Sequence, residues 1–318
     1  MNDSEIISTL KKYQRDMKIC TMLIFILYFV IFVFGLKTIF DFITGKLWVI
    51  SLIINIAAVV ALKPIDKKRI RAKKEKKEFI GEHIVKRTIS DVINIEEYAP
   101  NKHIEGNVVK ASPVMPEFDS ISGSDYIRGT YRGVNMTYSD VTLYKKERYR
   151  DTDGRTRTVD SLVFKGHFLR LNLNSQIDGY VKILERETPR KQGMFNDIVN
   201  TAKSLAGKSE NMVEVESEAF NNQFAIYTDN DELVFYILTP HFMESIVKAD
   251  EFARGATNIY FNKTYVDIAL DNRQDAFEVR NIVGDQRSLD MARQYIRNDL
   301  YKVIAIVDQI MTKDRLFS

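Results

Sequence analysis

The sequence predicts an α+β protein: an N-terminal hairpin of two transmembrane helices, a β-rich mixed cytoplasmic domain, and a long amphipathic helix closing the chain. Three observations carry this reading. Two apolar runs without a charge stand near the start of the 318 residues. Turn-punctuated extended segments fill the middle, and the last thirty or so residues show a single apolar stripe. Strands in runs with helices added at the ends belong to α+β folds rather than to doubly wound sheets.

Residues 19–36, ICTMLIFILYFVIFVFGL, are eighteen positions without a charge. As a helix they extend roughly 27 Å, against a bilayer core of about 30 Å. Residues 47–62, LWVISLIINIAAVVAL, are sixteen positions flanked by Lys46 and Lys63, which can snorkel, with Trp48 suited to an interface. Asn55 is the one strongly polar side chain of this run; it is expected to bond the partner helix or a neighbouring chain, a reading preferred over a functional site. Ala57 and Ala61 form a small-xxx-small pair that would let another helix approach. Lys37-Thr38-Ile39 offers no small-residue cleavage site, so the first run reads as an uncleaved anchor. Cys20, the single cysteine, excludes an internal disulfide. Met17-Lys18-Ile19 before it lacks the small apolar residues that a lipidated cysteine needs.

Lys11, Lys12, Arg15 and Lys18 precede the first run, only Lys37 and Lys46 lie between the runs, and nine Lys or Arg follow in 63–77. This asymmetry predicts a multi-pass protein of the cell membrane with both termini cytoplasmic: a segment 1–18, a hairpin 19–62 and a cytoplasmic remainder. The stretch KPIDKKRIRAKKEKK at 63–77 holds nine basic and two acidic residues, a net +7. Such density invites a nucleic-acid reading. With +2 for residues 1–62 and +3 for the whole chain, however, residues 78–318 carry −6. No positive field draws that domain to a phosphate backbone, so no nucleic-acid partner is expected. The stretch reads as a juxtamembrane stalk helix, 63–95, that fixes orientation and can lie on anionic lipid.

The domain proper spans 96–318. DYIRGTYRGVNMTYSDVTLYKKERY, 125–149, and VDSLVFKGHFLRLNLN, 159–174, read as two extended runs of one hairpin around DTDGRTRT. Tyr180–Leu184 continues the β texture, and 188–210 reads as a linker with one short helix, possible halves of the domain meeting there. VEVESEAFNNQFAIYT, 213–228, reads as extended. LVFYILTPHFMESIVKADEF reads as a helix in two pieces with Thr239 as N-cap and Pro240 in the first turn. NIYFNKTYVDIAL is a strand pair or one long strand, and FEVRNI follows. A helix from about Arg287 to Lys313 places Leu289, Ile296, Leu300, Val303, Val307 and Ile310 on one stripe, read as core packing.

Chemistry is sparse. His83, His103, His167 and His241 have no ligand spacing among them, and His241 reads as first-turn surface. Asp229, Asp231 and Glu232 resemble the start of a calcium loop without its glycine and terminal glutamate, and read as a capping turn. Asp151 and Asp153 belong to the hairpin turn. Phosphate-loop, dinucleotide and nucleophile-elbow motifs are absent. No catalytic, cofactor-binding or metal-ligating residue is therefore assigned, and no cofactor is expected.

SGSDYIRGTYRGVNMTYSDV at 122–141, SLVFKGHFLRLNLN at 161–174 and AFNNQFAIYTDNDELVFYILTPHFMESI at 219–246 are similar to an uncharacterised bacterial family, classed as a domain of unknown function. The resemblance covers most of 80–310 and implies two N-terminal membrane helices with a cytoplasmic mixed domain; it implies no activity. The expectation for function is a non-enzymatic, membrane-anchored binding or scaffold module that takes a protein or a lipid head group, its protein partner being another chain or a second copy of itself. The alternative is a membrane-bound enzyme using dispersed acidic and tyrosine side chains, for which several of Asp125, Asp140, Asp229, Asp231 and His167 would have to converge on a deep pocket.

Overall fold

The computed structural model describes residues 1–45, 48–150, 153–186, 211–253, 255–277 and 284–311. The chain forms two compact units, Met1–His83 with Arg280–Ala292, and Ile84–Val279 with Arg293–Ser318.

In the first unit, α1 spans Asp3–Ile43 and starts with a reciprocal cap: Asn2 Oδ1 accepts from Glu5 N at 2.9 Å, while Glu5 Oε2 accepts from Asn2 N at 3.0 Å. The expected segment 1–18 is thus the opening of the first apolar helix. That helix also outruns the apolar run, because Lys37 and Asp41 pair one turn apart at 2.6 Å, and it stops where Gly45 takes φ +68°. The following helix α2, Val49–Ile80, carries Pro64 in its interior and merges the second run with the basic stretch. A π-helical turn, Gly81–Val85, and α3, Lys86–Ser90, prolong it. The helix predicted to reach residue 95 ends at Ser90, and a strand begins at Asn94.

Helices α1 and α2 pack against each other, with Cys20, Asp41, Ser51 and Ala58 buried. The small residues in the seam are therefore Ser51 and Ala58, and Ala57 is exposed. Asn55 faces Gly35, but its Oδ1 is buried with no hydrogen-bond partner among the described residues, so the expected bond to the neighbouring helix is not formed. Outward-facing apolar side chains dominate the apolar runs of both helices: Phe25 is 75% exposed and Ile50 63%.

The second unit is built on a nine-stranded sheet in the order β1-β2-β3-β4-β9-β8-β5-β7-β6, with every described pairing antiparallel. Its strands are β1 Asn94–Ala99, β2 Ser120–Tyr131, β3 Val134–Arg150, β4 Thr156–Asn172, β5 Val181–Glu185, β6 Asn211–Val213, β7 Phe224–Thr228, β8 Ala256–Phe261 and β9 Tyr265–Asp271. The stretch read as one run over 125–149 is two strands. Arg132 (φ 48°) and Gly133 (φ 82°) turn the chain between them with both central residues left-handed, the geometry that matches strand twist. The stretch read as extended over 213–228 holds a helix, α5, Glu218–Gln223, because Ser217 accepts from Phe220 N and caps it. Residues 188–210 and most of FEVRNI lie outside the described residues.

Other helices follow the sequence closely. After α4, Gly106–Lys110, and α5 come α6, Asp231–Ile237, α7, Pro240–Ala253, and α8, Gln286–Met311. Pro240 opens α7 as expected, with Thr239 O accepting the first bond, from Met243 N at 2.9 Å. The six stripe residues of α8 are all buried.

Strand alternation gives the sheet two faces. On one, Val141, Leu143, Phe164, Phe168, Leu184 and Ala269 meet Ile104, Val109, Val114, Met115 and Phe118 from the segment around α4. On the other, Tyr138, Leu169, Ile268, Ile259 and Ile183 are buried. Phe242 of α7 lies over Phe261 of β8 there (ring centroids 6.2 Å), and Asp308 of α8 accepts from the Tyr131 hydroxyl at 2.8 Å. A cross-strand row of mostly polar and aromatic residues also runs through all nine strands: Glu97, Arg128, Thr137, Arg170, Asp267, Tyr260, Lys182, Tyr227 and Met212.

Candidate functional site

Sheet register assembles one buried polar cluster in the second unit. Asp140 of β3 stands opposite His167 of β4, Tyr138 lies two residues back on the same face, and Asn272 follows the end of β9. Asp140 Oδ1 accepts from the Tyr138 hydroxyl at 2.7 Å and lies 2.7 Å from His167 Nδ1. His167 Nε2 lies 2.9 Å from Asn272 Nδ2. The amide orientation of Asn272 follows from Gln274 N, which donates to its Oδ1 at 3.0 Å. Nδ2 therefore donates to Nε2, and the imidazole proton sits on Nδ1, pointing at Asp140.

Electrostatics here follow burial. Tyr138, Asp140 and His167 are all buried. Burial, then the neighbouring Asp140 carboxylate, pushes the Tyr138 hydroxyl well above its ordinary range, so it keeps its proton and serves as donor. Burial also raises Asp140, against the opposing bonds from His167 and Tyr138. The geometry gives the reason: Asp140 Oδ2 is buried without a hydrogen-bond partner among the described residues, so half of the carboxylate has lost water and gained nothing.

The cluster reaches a recess of about 20 Å³, room for one water molecule, lined by His167, Asn272, Gln274, Asp275, Asp299 and Lys302 among others. Its charges are paired: Lys302 Nζ donates to Asp299 at 2.9 Å and Lys165 Nζ to Asp275 at 2.9 Å. Chemically, the arrangement can hold one proton between Asp140 and His167.

Of the five residues whose convergence would mark an enzyme, Asp140 and His167 come together. Asp125 sits near them in a left-handed bulge of β2 (φ 55°), accepting from the Tyr98 hydroxyl at 2.7 Å. Asp229 and Asp231 go elsewhere. Asp229 is exposed and accepts from Tyr180 N at 2.7 Å; Asp231 is in the first turn of α6. The cap of α6 is Asn230, which accepts from Leu233 N, where a charged residue was expected. His241 is exposed, His83 lies against Phe79 with the rings tilted (centroids 4.6 Å), and His103 Nδ1 contacts Ile104 O at 2.7 Å. Among the described residues, no three His, Cys, Asp or Glu side chains are grouped to hold a metal ion. Sequence reasoning missed Tyr138 and Asn272; the available signal was a polar residue, Asp140, at a position where the strand alternation calls for an apolar one.

Residues 162–311 match the model of a family described as "Protein of unknown function (DUF3137)". The resemblance expected from the sequence, to an uncharacterised family with two apolar helices before a mixed domain, is borne out by this match together with α1 and α2. No curated protein matches. Among solved structures, the crystal structure of the mycobacterial trehalose monomycolate transport factor A, TtfA, aligns at 10% identity over 70% of this chain and 96% of that one, with a TM-score of 0.30. A superposition that loose carries no argument about this chain.

Proposed function

We infer that this chain, whose residues 162–311 match a family of unknown function, is a membrane-anchored module: α1 and α2 enter the bilayer as a hairpin, and the sheet-bearing unit is a non-enzymatic binding or scaffold domain on the cytoplasmic side. One observation carries the anchor. The most apolar windows of the two helices have only 6% and 11% of their residues buried, while Phe29 and Phe32 are 63% and 64% exposed. In water each such side chain forgoes about 1.5–3 kcal/mol of burial, whereas lipid supplies the missing apolar contact. The excess of Lys and Arg outside the hairpin supports cytoplasmic ends, and the basic residues of α2 are the candidates for anionic-lipid contact. Two of them, Arg69 and Arg71, are committed to Asp66 and Glu75 at 2.7 and 2.9 Å. A protein partner or a second copy completes the reading; nucleic acid does not enter it.

The full chain should stay with membranes through alkaline carbonate extraction, and added protease should reach residues 84–318 only from the cytoplasmic face. Recovery in the soluble fraction overturns the anchor; cleavage from the opposite face overturns the orientation.

One observation favours the second reading, an enzyme with a dispersed acidic and tyrosine site: the convergence of Tyr138, Asp140 and His167. Diethyl pyrocarbonate, with modification read at His167 by peptide mapping because His241 is exposed, tests it. A catalytic imidazole reacts in the folded protein, whereas one held at both nitrogens reacts only on unfolding.

A further inference from the structure

Strands β3 and β4 outrun the sheet. Strand β2 leaves β3 at Tyr144, and β9 joins β4 only from His167 onward, so Lys145–Arg150 and Thr156–Ser161 pair with each other alone. This two-stranded arm is exposed from Lys146 to Arg150 and from Asp153 to Asp160. An isolated hairpin of this kind is marginal in water, so its exposed side chains contribute little to stability and their chemistry calls for another explanation.

The cross-strand register sorts that chemistry. Lys146, Arg148 and Arg150 lie opposite Asp160, Thr158 and Thr156 on one face; Glu147 and Tyr149 lie opposite Val159 and Arg157 on the other. The first face thus presents three cations and two hydroxyls against one carboxylate. Among the described residues neither Lys146 nor Arg148 forms an ion pair, and Arg155 adds a cation near the tip. Residues 145–160 hold six basic and four acidic side chains, a net +2, so the rest of 78–318 carries −8. The arm is a basic projection from an acidic domain. Its other face carries Tyr149, 48% exposed, and Val159, 44% exposed, which point away from Lys146, Arg148 and Arg150.

We propose that this arm docks on a bilayer surface through the phosphate and carboxylate groups of anionic lipids, with Lys146, Arg148, Arg150 and Arg155 as the contacting cations. Charge complementarity selects an anionic surface, and the membrane is the anionic surface that the chain's own anchor keeps within reach; the proposal rests on that anchor. Arg148 and Arg150, at alternate positions, stand roughly 7 Å apart along the strand and address neighbouring headgroups.

The test uses the full chain in vesicles, with Cys20→Ser and Thr158→Cys carrying a fluorophore, and lipids bearing a headgroup-level quencher. Phosphatidylcholine vesicles are compared with vesicles containing about 30% phosphatidylserine. Quenching should be several-fold stronger with phosphatidylserine and should fall back at about 0.5 M salt, where screening is nearly complete. In Arg148→Glu/Arg150→Glu/Arg155→Glu it should drop to the phosphatidylcholine level. Equal quenching in both lipids, or an unchanged triple variant, overturns the proposal. Carbonate extraction of the same samples reports on the anchor separately, so a chain that is extracted fails the membrane reading, and one that is retained but unquenched fails only the arm.

Discussion

Asp271 makes the clearest single-residue case for how burial sets pH behaviour. Burial raises its carboxyl to about 6, a rise that Arg273 beside it only partly offsets. Because the folded value lies above the unfolded one, its contribution is fully present below about pH 4. It is lost as the pH rises toward 6, by about 3 kcal/mol in all. Asp140 and Asp267 are raised as well and pull in the same direction. Asp271→Asn keeps an acceptor for Lys165 N, now 3.3 Å from Oδ1, and should flatten this fall: no difference from the parent at pH 4, a gain of up to about 3 kcal/mol at pH 7. Denaturant midpoints followed by circular dichroism at both pH values decide it. Asp267 is fully buried as well, but is held by Arg170 through two bonds of 2.6 and 2.8 Å, with the guanidinium 3.9 Å over the Tyr265 ring. Asp267→Ala strands that cation and should lower stability by about 3–5 kcal/mol, while Arg170→Met with Asp267→Leu should recover much of the loss. A double variant as unstable as the single one would contradict this account.

Helices of this chain were legible because their signals are local: an apolar run, a stripe of period 3.6, a proline in the first turn. Register is not local, and that is where sequence reading ran out. Arg132-Gly133 lacks the Asn-Gly or Asp-Gly signature, so the turn between β2 and β3 went unseen. VEVE alternates like a strand, and the cap at Ser217 that makes α5 lies just past it. The candidate site suffered most, since His167 and Asn272 meet only because β4 pairs with β9, 105 residues apart in the chain. Gly166 is the element-level device that permits this. A Cβ there would run into the Leu270 carbonyl oxygen and crowd Asn272 N, so β9 lies against β4 only where no side chain intervenes. Gly166→Ala should therefore cost about 1–3 kcal/mol, the range for overpacking, and part Asn272 from His167. The Nε2 resonance in nitrogen NMR should move; a variant with parental stability and shifts would show that β9 gives way without consequence.

At the scale of the whole molecule, charge is partitioned along the chain: +2 over residues 1–62, +7 over 63–77 and −6 beyond. If that partition fixes orientation, replacing the nine Lys and Arg of 63–77 by Gln should leave a fraction of chains reversed. An impermeant thiol reagent reading Lys102→Cys in a Cys20→Ser background would count them. Unchanged labelling on one side only would assign orientation to the four cations before the first helix instead.

The sheet order also sets a timetable. Strands β1 to β4 are contiguous in sequence, but the partner that covers β4 arrives late: Asp267 lies 97 residues after Arg170. At about 5–20 residues per second of synthesis, β4 waits roughly 5–20 s with an open edge. Its apolar strand Phe164–Leu171 is bare for that interval, while the hairpin has already left the ribosome. A nascent chain halted before residue 256 should therefore be a client for chaperones that hold unpaired strands, and release should come only when β8 and β9 emerge.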